Sequence, residues 1–250
     1  MKVLICGKGG CGKSAVVALL AKELARRENR VLVIDSDESN IGLHHRLGMA
    51  KPEDFMNYFG GRKILFEKTK GMTGKWKLDD LPKQYLSRKG NIQLLSMGKI
   101  YEFGEGCACP INALSSKVLE ILDLTDKEFM IADTDAGIEH FGRGVENGVD
   151  SLVVIIDPSQ ESILLAQKIS KLGKQVGKPT YYVLNKVDRE TEKLLLDSVD
   201  KEKVIAIIPE NKDVFISCLY GKELTISLRG IKEIANRLES EKIKATVKSI

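Results

Sequence analysis

Gly7-Lys8-Gly9-Gly10-Cys11-Gly12-Lys13-Ser14 is the stretch whose reading decides the fold. It follows the apolar run Val3-Leu4-Ile5-Cys6 and opens a helix-like run, Val16-Val17-Ala18-Leu19-Leu20. A strand, a turn of the form G-x-x-x-x-G-K-[ST] and a helix, in that order, make a phosphate-binding loop. The glycines let successive backbone N–H groups turn inward around phosphate oxygens, at the positive end of the helix. The expected nucleotide contacts are therefore Gly9, Gly10, Cys11, Gly12, Lys13, Ser14 and Ala15. In such a loop the lysine, here Lys13, reaches the β- and γ-phosphates, and the hydroxyl of Ser14 ligates Mg²⁺.

Outward from the loop, apolar runs recur along the chain: Val31–Ile34, Ile92–Leu95, Phe129–Ala132, Leu152–Ile156, Tyr181–Leu184 and Val204–Ile208. Most are short, rich in β-branched residues and continuous rather than alternating, as parallel strands covered on both faces require. Helical stretches separate many of them, among them Ser14–Arg27, Leu114–Leu124 and Ser162–Val176. The pattern predicts a doubly wound α/β fold: a mostly parallel sheet with helices on both faces and ligands at the carboxyl ends of the strands. No repeat or linker divides it, so residues 1–250 are expected to form a single domain. A net charge of +4 is too small to imply a nucleic-acid partner. No apolar run approaches the length of a membrane span. The first strand begins directly after Met1, so a cytoplasmic protein is expected. There, five cysteines imply buried thiols or metal ligands rather than disulfides.

Two clusters of acids follow strands. Asp35-Ser36-Asp37 ends the second apolar run, and Asp133 ends Phe129-Met130-Ile131-Ala132. Acids just beyond a strand and facing a phosphate loop can hold Mg²⁺ or orient an attacking water; an Asp-rich turn capping the next helix is the plainer reading of the first cluster. Asp133 suits the Mg²⁺ hydration shell. Gly137 would bring a backbone N–H against the γ-phosphate, because glycine permits close approach. His44 and His45 are read as surface or core residues. Adjacent helical positions point about 100° apart, which suits one shared ion poorly. The basic run from Arg62 to Lys77 around Trp76 is a solvated face or a docking surface for an acidic protein.

Gly106-Cys107-Ala108-Cys109-Pro110 carries a pair of thiols. On an extended run, residues i and i+2 point the same way, so both can face one ion. Two thiolates do not complete a four-coordinate site, but a two-fold dimer would supply the other pair. Soft ligands admit Zn²⁺, Cu(I), iron–sulfur or Ni²⁺, and the sequence does not rank them. Two buried thiols are the plainer alternative.

The second lysine, Lys8, gives the loop the form G-K-G-G-x-G-K-[ST]. In this it resembles the deviant Walker A loop of the MinD/ParA/nitrogenase-iron-protein P-loop NTPases. That resemblance implies that Lys8 crosses a nucleotide-sandwich dimer to the partner's phosphates, supplying charge in trans as an arginine finger does. It also implies that Asp37 orients the water, with Asp35 supporting the metal shell. Many relatives carry a hydroxyl residue where this chain has Ala15. Together with Cys107-Ala108-Cys109-Pro110 and Asp133-Thr134-Asp135-Ala136-Gly137, the loop resembles the CooC-type ATPases, which help insert nickel into carbon monoxide dehydrogenase. The resemblance implies a homodimer formed with nucleotide or metal. In it Cys107 and Cys109 bind nickel, or zinc as a surrogate, for a nickel enzyme precursor such as carbon monoxide dehydrogenase.

Asn185-Lys186-Val187-Asp188 matches N-K-x-D, the guanine-reading pattern. ATP-using relatives keep the Asn and often a basic neighbour without needing the acid. Since Lys8 places the chain among adenine users, ATP is expected over GTP. By the same resemblance Asn185, Lys186, Pro209 and Glu210 form the base pocket. Two other readings stay open: a redox ATPase of the nitrogenase-iron-protein type with a bridging iron–sulfur cluster, and a MinD/ParA-like positioning ATPase. The C-terminal run Ile231–Leu238 has amphipathic spacing. Packing on the sheet is expected of it rather than membrane attachment, because it lacks bulky aromatics.

Overall fold

The structure is a computed structural model and describes residues 1–100, 109–135 and 148–248. Its frame is an eight-stranded sheet in the order β3-β4-β2-β5-β1-β6-β7-β8. The strands are β1 (Lys2–Gly7), β2 (Arg30–Asp35), β3 (Leu86–Lys89), β4 (Ile92–Ser96), β5 (Glu128–Asp133), β6 (Ser151–Ile156), β7 (Thr180–Val187) and β8 (Val204–Pro209). Every pairing is parallel except β3 with β4. The seven apolar runs are the seven parallel strands. β3 was not foreseen: Leu86-Ser87-Arg88-Lys89 is half buried to exposed and ends in two charges, as edge strands often do.

Two-sided burial explains why the strands read as unbroken apolar runs. Val3 and Ile5 of β1 join one core, with Val31 and Val33 of β2 and Phe129 and Ile131 of β5. Their neighbours Leu4, Cys6, Leu32, Ile34, Met130 and Ala132 join the other. The first core is closed by α1 (Lys13–Arg26), α2 (Leu43–Leu47) and α8 (Arg229–Lys248). The second is closed by α3 (Arg62–Lys70), α4 (Cys109–Ile121), α5 (Gln160–Gln175) and α6 (Arg189–Ser198). The apolar face of α8, Ile231, Ile234, Ala235 and Leu238, is fully occupied by the sheet and α1, so packing is its use. Trp76 likewise packs on the second core, and its backbone bonds to Ile121 and Asp123.

β1 sits at the centre. The chain winds from it to one side through β2 and β4, returns to β5 beside it, and then crosses to β6 on its other side. That reversal leaves a crevice at the carboxyl ends of the strands, where ligands bind in open α/β sheets. The loop after β1 opens directly into it. No helix among the described residues is long and apolar enough to cross a membrane.

The two-core description predicts that Leu32→Ala, at a fully buried β2 position, costs about 2–5 kcal/mol. The urea midpoint should fall with an unchanged slope.

Candidate functional site

The loop between β1 and α1 depends on backbone shapes that side chains would block. Gly10 and Gly12 have φ of 80° and 102°, in the left-handed region. A Cβ on Gly12 would collide with the Asn185 amide, and one on Gly7 would lie 2.6 Å from the Ile155 carbonyl oxygen. The close approach lets β7 brace the loop. Asn185 donates from Nδ2 to the Cys11 carbonyl at 2.8 Å, and Lys186 from Nζ to the Gly10 carbonyl at 2.7 Å. Lys13 is buried and its ammonium donates to the carbonyls of Gly7 and Lys8, at 3.1 and 3.2 Å.

A cavity of about 550 Å³ begins at this loop. Gly9, Gly10, Gly12, Lys13, Ser14 and Ala15 form its floor, Asp37, Ser39 and Asn40 one wall, and Asn185, Lys186, Pro209 and Glu210 another. Its far end is apolar, with Ile208 of β8, Val214, Phe215 and Cys218 of α7 (Lys212–Leu219), and Leu228 and Ile231. A polar floor with an apolar far wall suits a phosphorylated ligand with a flat base. Cys11 does not line the cavity. Its side chain is buried behind the loop and burial pushes the thiol up to about 11, so the sulfur is not a reactive thiol beside the ligand. Gly137 lies outside the described residues.

Opposite the loop, β2 and β5 end side by side at Asp35 and Asp133, which are register partners. Asp133 is fully buried; burial pushes it up to about 6, against hydrogen bonding from Ser14 and the charge of Lys13. Its Oδ1 has no hydrogen-bond partner among the described residues. A hydrated Mg²⁺ would provide donors for that oxygen, so the residues present fit the ion. Asp35 is pushed up to about 7 by burial, against the pull of Lys99, whose ammonium lies 2.7 Å from Oδ1. Asp37 Oδ1 accepts from the N–H groups of Ser39 and Asn40 and from the Ser39 hydroxyl. Asn40 Nδ2 donates to Ser14 Oγ at 2.8 Å and reaches Asp133 Oδ2 at 3.4 Å.

Four residues carry this geometry without having been assigned a part in it. Asn40 links Asp133 to the loop at Ser14, and Lys99 ties Asp35 to the Asp37 carbonyl; their only signals were a position just after the Asp-rich turn and a lysine just after a buried strand. Arg46 lines the cavity from α2, with Nε and Nη1 buried and without partners among the described residues. Ser159 holds Lys8, accepting from Nζ at 2.9 Å, with Asp157 and Glu161 each 3.8 Å away.

The acid of N-K-x-D is bonded to its own helix in this arrangement. Asp188 is the N-cap of α6: its Oδ1 accepts from the N–H groups of Glu190 and Thr191 and from the Thr191 hydroxyl. It does not line the cavity.

Cys109 departs from the expected geometry. It is exposed, but it is the first residue of α4 rather than part of an extended run. Pro110 follows in the first helical turn, where its missing N–H costs nothing. Cys107 lies outside the described residues. Among those residues no group of three or more His, Cys, Asp or Glu is placed to hold a metal ion. The His44 and His45 rings are only 3.9 Å apart between centroids, despite their adjacent positions on α2.

The profile of the CbiA family, the CobQ/CobB/MinD/ParA nucleotide binding domain, matches residues 2–224. The chain belongs to this family. It is 52% identical over 247 residues to an uncharacterized ATP-binding protein of Methanocaldococcus jannaschii, covering 95% of this chain and 99% of that one. It is 34% identical over 219 residues to the carbon monoxide dehydrogenase accessory protein CooC of Rhodospirillum rubrum, covering 84% and 83%. The fold matches the septum site-determining protein MinD complexed with Mg-ADP from Pyrococcus horikoshii, with a TM-score of 0.72 over 95% of each chain at 17% identity. As a member of this family the chain is a nucleotide-binding P-loop protein.

The buried acids predict a pH dependence. Asp35 and Asp133 hold their protons more tightly folded than unfolded, so their contribution to stability is complete below the ordinary carboxylate range and is lost as pH rises through about 6 to 7. The thermal midpoint of the nucleotide-free chain should fall between pH 5 and pH 8 by roughly the few degrees that a 1 kcal/mol change produces. Asp133→Asn should flatten that fall, and a slope identical to wild type would contradict the account.

Proposed function

We propose that this protein is an ATP-hydrolysing metallochaperone: a single ATPase domain that dimerises with ATP and carries nickel, or zinc, between paired Cys107 and Cys109 thiolates for insertion into carbon monoxide dehydrogenase or a related nickel enzyme. The observation that carries the reading is the 34% identity to a carbon monoxide dehydrogenase accessory protein over most of both chains. The Cys-x-Cys-Pro stretch and the exposure of Cys109 support it.

Within the cavity, Lys13 leaves the carbonyls of Gly7 and Lys8 to meet the β- and γ-phosphates. Ser14, Asp35 and Asp133 would hold Mg²⁺ directly or through water, and the ion would supply positive charge against the phosphates. Asp37, on the wall facing the loop, orients the attacking water. Lys8 leaves Ser159 and meets the phosphates bound by the second copy. Asn185 and Lys186 keep the loop's shape, and Pro209 and Glu210 flank the base. Adenine is favoured over guanine because the Asp188 carboxylate is committed to the α6 N-terminus, and a guanine site without its acid leaves the ring N–H groups unpaired.

Four measurements test the reading. Protein purified without chelators or an affinity tag should hold about one Ni²⁺ or Zn²⁺ per two chains, as a two-fold four-thiolate site requires. Cys107→Ala with Cys109→Ala should abolish that uptake and leave nucleotide affinity intact; unchanged metal content refutes the ligands. Lys8→Ala should lower ATP turnover by about 100-fold or more with little change in nucleotide affinity, as loss of a charge supplied in trans does. ATP should be hydrolysed about tenfold or more faster than GTP at equal concentration; equal rates would overturn the assignment of Asp188.

A further inference from the structure

After β4 ends at Ser96, the chain turns through Met97-Gly98-Lys99-Ile100 alongside the turn that follows β2. Four bonds fasten the two turns together. Met97 N–H donates to the Asp35 carbonyl at 3.0 Å, and Ile100 N–H to the Glu38 carbonyl at 3.2 Å. Between them the Lys99 ammonium pairs with Asp35 Oδ1 at 2.7 Å and donates to the Asp37 carbonyl at 2.5 Å. The Lys99 side chain is 2% exposed.

A buried ammonium is an expensive way to join two loops. Its desolvation offsets much of the Coulomb attraction, and an apolar side chain of the same length would pack there at less cost. What the ammonium supplies, and an apolar chain cannot, is a donor to the Asp37 carbonyl together with a positive charge against Asp35. The Asp37 peptide is the root of a relay. With its carbonyl held by Lys99, the Asp37 carboxylate closes the turn onto Ser39 and Asn40, and the Asn40 amide reaches Ser14 Oγ in the phosphate loop and Asp133 Oδ2. Lys99 itself does not line the cavity. Among the described residues it bonds to neither the cavity wall's side chains nor the phosphate loop, and its ammonium is held by Asp35 and the Asp37 carbonyl.

We infer that Lys99 is a positioning residue for nucleotide hydrolysis. It anchors the fixed end of the 35–40 turn so that the Asp37 carboxylate faces the phosphates while the far end, at Asn40, moves when Ser14 takes a new partner. The inference rests on the ATP-hydrolysing reading of the cavity.

Lys99→Met, which keeps the length of the stem, tests it. At saturating Mg·ATP its turnover should fall by about 20-fold or more, while affinity for a fluorescent ADP in EDTA changes by less than about twofold, the signature of an interaction that matters only to the reacting complex. Amide hydrogen exchange should quicken at residues 35–40 and stay at wild-type rates in β1 and α1. Lys99→Arg should recover little activity, because a planar fork does not reproduce a point donor in a closed space. If Lys99→Met does not fold, the charge-balanced pair Lys99→Met with Asp35→Asn gives the exchange measurement, and protection of residues 37–40 in that variant would overturn the inference. A purely structural lysine would lower stability and ADP affinity together and leave turnover per folded molecule unchanged; that result also overturns it. A wild-type chain that leaves ATP intact refutes the hydrolytic reading and this inference with it. An active wild type beside an equally active Lys99→Met refutes the inference alone.

Discussion

The structure depends on two missing side chains. Without a Cβ at Gly7 the loop can press against the Ile155 carbonyl of β6, and without one at Gly12 it can press against Asn185 of β7. Those two approaches bring the loop under the amide of Asn185 and the ammonium of Lys186, which bind its outward carbonyls. The Cys11 and Gly10 carbonyls are thereby held by β7, while Gly9, Gly10 and Gly12 line the cavity. The central position of β1 serves the same end: β5, its neighbour on one side, ends in Asp133, and β7, one strand beyond β6 on the other side, carries the brace.

The second organising feature is charge held out of water. Asp35, Asp133 and the ammonium groups of Lys13 and Lys99 are buried at the same end of the sheet. Coulomb attraction among them is worth far more there than at the surface, but so is the penalty for each charge taken from water. Burial pushes both carboxyls above the usual carboxylate range, so desolvation outweighs the lysines' pull. A cation added to such a cluster favours the ionised carboxylates. A surface arrangement of the same residues would be screened.

How much of this was legible follows from what each residue's neighbours reveal. The seven parallel strands were readable because burial on two faces forces unbroken apolar runs, and the loop because its glycines and lysine have fixed spacing. β3 was not, since an edge strand with one exposed face and two charges resembles a turn. Lys99 and Arg46 were invisible because a cation in a sequence reads as surface, and only the fold shows what surrounds it. Asp188 is ambiguous in sequence, because the same four letters serve as a base reader or as a helix cap; in the structure its carboxylate caps α6. The Cys-x-Cys spacing suits an extended run, but Pro110 is at home in the first turn of a helix, and Cys109 opens α4.

The bond from Asn40 to Ser14 Oγ has a wider consequence. On the proposed ligation of Mg²⁺ by Ser14, a hydroxyl that gives a lone pair to the cation has less to offer an amide, so seating the ion would weaken the hold on the asparagine. Nucleotide that arrives without its metal would leave the asparagine where it is. The turn beyond Asp37 would therefore report the charge state of the pocket's contents rather than mere occupancy, and a spent, metal-free ligand would look to the rest of the molecule like no ligand at all.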